Sequence, residues 1–254
     1  MPPGAGPYAV EAFACAKAGN RREEYEDAWA VRGSDSPRQV RAAVADGATE
    51  TSFSGLWATL LAERWARGRE IGPEFGARLG AARRLWRGRV GRRPLPWYAA
   101  EKASQGAYAA FLGVSLNART GAWRAVAVGD CNLFHLRGLG PGLRLVRAFP
   151  LERSSDFGSS PFLVGSVERS GDDPAAHVRQ AAGVLPGDGM LLLASDALSA
   201  WLLRREESGR PAWEAMSPLG LADQADFEDL VAGAQEDGAR NDDMTLLRIA
   251  PRPD

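Results

Sequence analysis

LPGDGMLLLASDALSAWL, residues 185–202, changes its period at the midpoint. Met190 to Ala194 is an unbroken apolar run entered through the turn residues Pro186, Gly187 and Gly189, the pattern of a buried strand. From Ala197 to Glu207 the apolar residues Leu198, Trp201 and Leu202 fall three and four apart, which predicts a helix with one apolar face. Asp196 stands at the junction. The same grammar, an apolar strand meeting a turn at an acidic residue, recurs at Glu26-Asp27, at Asp46 in AAVADGAT (42–49) and at Asp242 in ARNDDMTLL (239–247). Strand ends are held rigidly by their sheet, so carboxylates placed there can converge on one point. Two like charges about 4 Å apart repel by ~4 kcal/mol at an effective dielectric of about 20, so such a cluster calls for cations. Two divalent ions balance the charges of Asp27, Asp46, Asp196 and Asp242, and oxygen-only donors favour Mg²⁺ or Mn²⁺ over zinc. Each aspartate taken singly is an ordinary turn or cap residue; the ordered set carries the argument.

Working outward, strands are expected at Tyr8–Ala16, Asp27–Val31 and Gln39–Ala45. Phe53, Leu56, Trp57, Leu60, Leu61 and Trp65 fall at helical spacing, predicting an amphipathic helix to about Arg67 with both tryptophans in the core. Further helices are expected at Glu74–Trp86, Tyr98–Ser104 and Asp226–Glu236, and a closing strand at Met244–Ile249. Ala107–Asn117, Ala122–Val128, Asn132–Arg137 and Leu143–Arg147 read as an antiparallel meander joined by turns such as GDCN (129–132) and GLGPG (138–142). Strands clustered in hairpins, with helices grouped between them, argue for an α+β chain of two antiparallel sheets flanked by helices. One domain over residues 8–250, with short tails at 1–7 and 251–254, is the simplest organisation.

Composition narrows the function. The chain of 254 residues is 45% apolar and 25% charged, with a formal net charge of −1. That total supports neither nucleic acid nor an anionic membrane as a partner. No run approaches the ~18 apolar residues of a membrane span, and a cytoplasmic location is expected. Cys15 and Cys131 are too few and too far apart for a disulfide framework or a zinc spacing, and both read as packing residues. Ten arginines crowd the stretch 64–93, a pattern that usually marks a solvated helix face and otherwise an acidic or phosphorylated docking partner. His135 reads as a strand residue and His177 as a surface one.

The ordered motifs resemble the metal-dependent protein phosphatases of the 2C type. RREEYEDA (21–28) is similar to that family's opening motif, with Tyr25 where bacterial members often have asparagine. VADGA (44–48) is similar to its second motif, AVAVGDCNLFHLR (125–137) to its Gly-Asp-Ser hairpin with Cys131 for serine, LPGDGMLLLASDALSAWL to its Ser-Asp-Gly turn with Ala197 for glycine, and NDDMTLLRI (241–249) to its closing motif. The resemblance spans about Tyr8 to Ile249. It implies a four-layer α/β/β/α sandwich that hydrolyses phosphoserine or phosphothreonine in proteins through a water bridging two Mn²⁺ or Mg²⁺ ions. It further implies Asp46 as the bridging ligand, Asp196 and Asp242 on one ion, and the Gly47 carbonyl on the other. Asp27 would act there directly or through water, with Glu26 beside it. Arg22 would bind the phosphate, Arg21 being the near alternative. A third ion, held in some members through a residue matching Asp130, is expected to be weak or absent because Ala200 replaces a second acidic ligand. A phosphorylated protein, such as the target of a cognate serine/threonine kinase, is the implied partner, and a monomer the expected state. Ala197 and Ala200 also keep open a pseudophosphatase that binds phosphoproteins without turnover. A nucleotide phosphodiesterase lacks any supporting Gly-rich phosphate loop.

Overall fold

Period-two burial builds the centre of the molecule. The computed structural model describes residues 6–49, 51–68, 75–138, 140–158, 160–169 and 173–252. Its strands are β1 (Tyr8–Cys15), β2 (Ala28–Arg32), β3 (Gln39–Gly47), β4 (Tyr108–Asn117), β5 (Ala122–Val128), β6 (Asn132–Arg137), β7 (Arg144–Phe149), β8 (Val164–Gly165), β9 (Arg179–Val184), β10 (Gly189–Ala194) and β11 (Met244–Pro251). Its helices are α1 (Ser54–Arg67), α2 (Phe75–Val90), α3 (Trp97–Ser104), α4 (Asp196–Glu207) and α5 (Gln224–Glu236). Glu74, the expected start of the second helix, and the outer parts of both tails lie outside the described residues.

One antiparallel sheet runs β1-β11-β10-β6-β7 and the other β2-β3-β4-β5-β9, with β8 beside the start of β4. Alternate residues of both sheets, among them Val40, Ala42, Val44, Leu112, Val114, Leu191, Leu193, Leu247 and Ile249, interdigitate as the middle layer. The opposite faces take the helices. Trp57, Leu60, Leu61 and Trp65 of α1 pack on Ala43, Ala45 and Phe111. Leu198, Trp201 and Leu202 of α4, with Phe227 and Val231 of α5, pack on Phe134, Leu192 and Leu246. The expected α/β/β/α sandwich is therefore present. Complementarity is tight: a Cβ on Gly113 would lie 2.5 Å from the Trp65 ring, so the strand must be bare where the tryptophan crosses it. Trp65 then anchors itself by donating from Nε1 to the Val114 carbonyl at 3.0 Å. At the far layer Arg248 is fully buried, bonded to Glu11 at 2.7 and 2.9 Å and to the carbonyls of Met216 and Leu221.

Two expectations need correction. The residues from Ala107 to Arg147 are not one meander: β5 pairs with β4 and β9, whereas β6 pairs with β10 and β7. The GDCN turn therefore crosses between the sheets. Gly129 makes the crossing possible with a φ of 92° and no room for a Cβ, which would sit 2.7 Å from Ala110. Second, β9 was not foreseen; its sequence RQAAGV has little β-branched character. Smaller shifts follow from packing. α2 continues past Gly88 to Val90 because Leu79, Ala82, Trp86 and Val90 form its buried face, and β11 reaches Pro251 opposite Tyr8.

Candidate metal centre

Antiparallel pairing gathers the acidic turns at one end of the sandwich. β3 ends at Asp46-Gly47, and β2, which begins beside that end with Ala28 opposite Ala45, is preceded by Asp27. β10 ends at Ala194 opposite Leu246 of β11, so Asp196 after one strand and Asp242 before the other become neighbours. The GDCN crossing brings Asp130. Asp46, Gly47, Asp130, Asp196 and Asp242 all border one open cavity of about 290 Å³, walled on its other side by Gly158, Pro161 and Leu163.

The backbone is fitted to that purpose. A Cβ on Gly47 would meet the Glu26 carbonyl at 2.6 Å and Ser54 at 2.9 Å, so only glycine lets these segments close up. Asp243 is buried and works inside the wall: its carboxylate accepts from the backbone N–H of Lys17 at 2.9 Å and of Glu26 at 2.7 Å. Its partner Asp242 faces the cavity. Asp27 lies behind Asp46, buried, accepting from the Thr245 hydroxyl at 2.8 Å. Glu26 turns away to the Ser54 hydroxyl.

Electrostatics records the crowding. Burial, and then the charges of Asp27, Asp196 and Asp130, push the Asp46 carboxyl well above the usual range. Asp27 is raised by burial and by Asp243 and Asp196, against the Thr245 hydrogen bond that lowers it. Asp130 is pushed up to about 7, by burial first and Asp196 second. Burial likewise raises the Cys131 thiol, as befits a packing residue.

One participant had not been foreseen. Arg240 borders the cavity, and its Nη2 contacts Asp196 and lies 3.1 Å from Asp242. Burial works against its charge, but Asp196, and less strongly Asp242 and Asp46, raise its pKa. Arg240 sits within ARNDDMTLL, yet a single arginine two residues before an aspartate has no pattern that singles it out. Arg22, by contrast, is exposed in a short 3-10 turn, Arg22–Glu24, and does not border the cavity. His135 is a buried strand residue, and His177 is exposed, its ring stacked on Phe162 at 3.6 Å.

Among the described residues, no group of three or more acidic, histidine or cysteine side chains is arranged to grip a metal ion as it stands. Two of the carboxylates are turned on Arg240 instead. The donor chemistry nonetheless fits a hard divalent ion: the set is all oxygen and mutually repelling. Asp196 Oδ1, moreover, is buried without a hydrogen-bond partner.

No family model and no curated protein matches the chain in sequence. In three dimensions the fold is that of the bacterial serine/threonine phosphatases, as the motifs resembling the 2C family imply. The chain is similar to a bacterial serine phosphatase at 14% identity, covering 96% of this chain and 98% of that one, with a TM-score of 0.59. It is similar to the serine/threonine phosphatase PstP of Mycobacterium tuberculosis at 15% identity, 97% and 99% coverage and a TM-score of 0.56. A third likeness is to RsbX, solved in complex with magnesium, at 14% identity, 96% coverage of each chain and a TM-score of 0.52.

Proposed function

We propose that the chain is a metal-dependent phosphatase that hydrolyses phosphoserine or phosphothreonine in proteins. The observation that carries the reading is the convergence of Asp46, Asp130, Asp196 and Asp242, from four separate segments, on one open cavity. Asp46, Asp196, Asp242 and the Gly47 carbonyl would hold two Mn²⁺ or Mg²⁺ ions, with Asp27 behind them, Glu26 beside it and Asp130 at the rim. Ions bound there would neutralise the carboxylates and supply water acidic enough to attack phosphorus in line at neutral pH. The chain's own residues do the rest. The sheets fix the backbones that carry the donors, and Asp196 and Asp242 would have to turn from Arg240 to take up the ions. A guanidinium fork takes two phosphoryl oxygens: Arg240 already faces the cavity, and Arg22 would have to reach it from the neighbouring turn. Ala48, which borders the cavity after Gly47, offers no proton. The cognate targets of a serine/threonine kinase are the substrates this chemistry suits.

Arg240 also favours a second reading, a protein that binds phosphorylated partners without turnover, because a built-in cation already answers Asp196 and Asp242. A metal titration decides between them. Hydrolysis of para-nitrophenyl phosphate and of a phosphopeptide should need Mn²⁺ or Mg²⁺, stop in chelator, and vanish in Asp46→Asn and Asp196→Asn. No turnover with any divalent ion rejects the phosphatase, and undiminished turnover in verified metal-free buffer rejects the mechanism.

A further inference from the structure

Between Phe75 and Ala100 the sequence holds seven arginines and no acidic residue. Arg83 turns inward, donating to the Gly165 carbonyl at 3.1 Å and lying 3.7 Å from Glu168. Arg84, Arg87, Arg89, Arg92 and Arg93 are exposed, and none forms an ion pair among the described residues. Arg87 and Arg93 border a cavity of about 370 Å³ between α2 and α3, whose wall is apolar: Trp86, Val90, Leu95 and Ala103. A face that is merely solvated needs charge but no apolar hollow among its cations. The pairing of the two selects a ligand that is acidic along its length and apolar at one point.

The hollow lies at the end of the sandwich that carries the carboxylates. Trp86 Nε1 donates to the Phe53 carbonyl at 3.4 Å, and the Arg93 guanidinium sits 5.1 Å over the Phe53 ring. Phe53 immediately precedes Ser54, which touches Glu26 and the Gly47 backbone. α3 leads into β4, whose first residues pair with Gly47 and Asp46. On the opposite flank α2 packs against the turn Pro174–His177, and His177 and Arg179 border a cleft that shares Asp130 with the metal centre.

We propose that the α2–α3 surface docks an acidic segment of the phosphoprotein substrate, one large apolar side chain of which enters the hollow while exposed arginines meet its carboxylates. The proposal rests on the phosphatase reading for the word substrate. A nucleic acid duplex or the headgroup plane of an anionic membrane would use the arginines but keeps its apolar groups stacked or buried, and leaves the hollow unfilled.

The test uses a fluorescent glutamate-rich peptide with one central leucine, and a twin with serine in its place, titrated against the full chain in chelator at low and physiological salt. The leucine peptide should bind about tenfold tighter than its twin, and both should weaken as salt rises. Ala100→Phe, which adds bulk at the exposed mouth without changing charge, should weaken only the leucine peptide. Arg87→Glu with Arg93→Glu should weaken both by tenfold or more, with unaltered melting showing that the variant is folded. A phosphopeptide carrying the acidic leucine segment should show a lower KM than one without it at equal kcat, a difference the charge reversal removes, while hydrolysis of para-nitrophenyl phosphate is unchanged. Equal binding of the two probes, indifference to Ala100→Phe, or tighter arginine-dependent binding of single-stranded RNA or phosphatidylglycerol vesicles would overturn the proposal. Ester hydrolysis without probe binding refutes docking alone. Docking without hydrolysis in any metal refutes the phosphatase reading, and with it a substrate as the occupant.

Discussion

Replacing Asp130 by asparagine isolates what it costs the metal-free fold to collect these carboxylates. The Asp130 carboxyl is pushed up to about 7 from an ordinary value of 3.8, and a gap of about three pH units corresponds to ~4 kcal/mol. For an acid raised in the folded state, the native protein holds the extra proton. The favourable contribution is therefore complete below about pH 4 and is lost as pH rises through 7. In chelator the wild type should thus melt progressively lower from pH 4.5 to pH 8.5, while Asp130→Asn, which has no proton to lose, should be spared that part of the fall. With roughly 2–4 °C per kcal/mol for a domain of this size, the variant should gain as much as ~8–16 °C at pH 8.5 and only about a quarter of that at pH 4.5, where the unfolded carboxyl has begun to ionise. Differential scanning calorimetry at the two pH values in EDTA reads this directly. Saturating Mn²⁺ should shrink the gap, because the cation relieves the same repulsion in the wild type. Equal melting at pH 8.5, or an equal gap at both pH values, would refute the electrostatic account of the cluster.

If the phosphate is taken by Arg240, Arg240→Ala should raise KM for a phosphopeptide several-fold while Arg22→Ala leaves it unchanged; the reverse pattern in steady-state kinetics returns the role to Arg22. Arg240→Ala should also tighten Mn²⁺ binding in a calorimetric titration, since Asp196 and Asp242 no longer have a resident cation, and unchanged affinity would count against that competition. The wild type should bind two ions firmly and a third weakly or not at all. Ala200→Asp, one helical turn from Asp196, should strengthen the third, and full third-site occupancy in the wild type at low millimolar Mn²⁺ contradicts this. Arg248→Leu should lose about 3–5 kcal/mol in urea unfolding, because it leaves the Glu11 carboxylate and two buried carbonyls without their donor.

Most of the fold was legible because burial on these sheets obeys simple periods. The β5 and β6 boundaries and the end of α1 were read correctly, since alternating or helical apolar spacing stops abruptly there. The crossing at Gly129 was not legible. A Gly-Asp turn looks the same whether the chain folds back in one sheet or passes to another, and both flanking strands are buried on two faces. β9 escaped notice because an edge strand needs little apolar character. At the site, the aspartates could be picked out because each interrupts an apolar run. Their sorting was implied by the resemblance and not by periodicity: Asp242, the ligand it implies, faces the cavity and Asp243 the wall, a difference set by the half-turn between adjacent residues at the strand entrance. Arg240 and the exposure of Arg22 depend on tertiary placement alone.

The pairing of β1 with β11 sets a condition on assembly. Asp243 accepts from Lys17 across 226 residues of sequence, and the middle strands of that sheet cannot close on β1 until β11 lies between them. During synthesis α1 and the strands β2 to β5 have their partners early, whereas the cavity lacks Arg240, Asp242 and the wall behind Asp27 until β11 has been made. Contacts so distant in sequence make for slow closure. They also make the cavity an all-or-none property of a chain that includes β11, so that a product stopping short of it has part of the sandwich and an incomplete cluster of carboxylates.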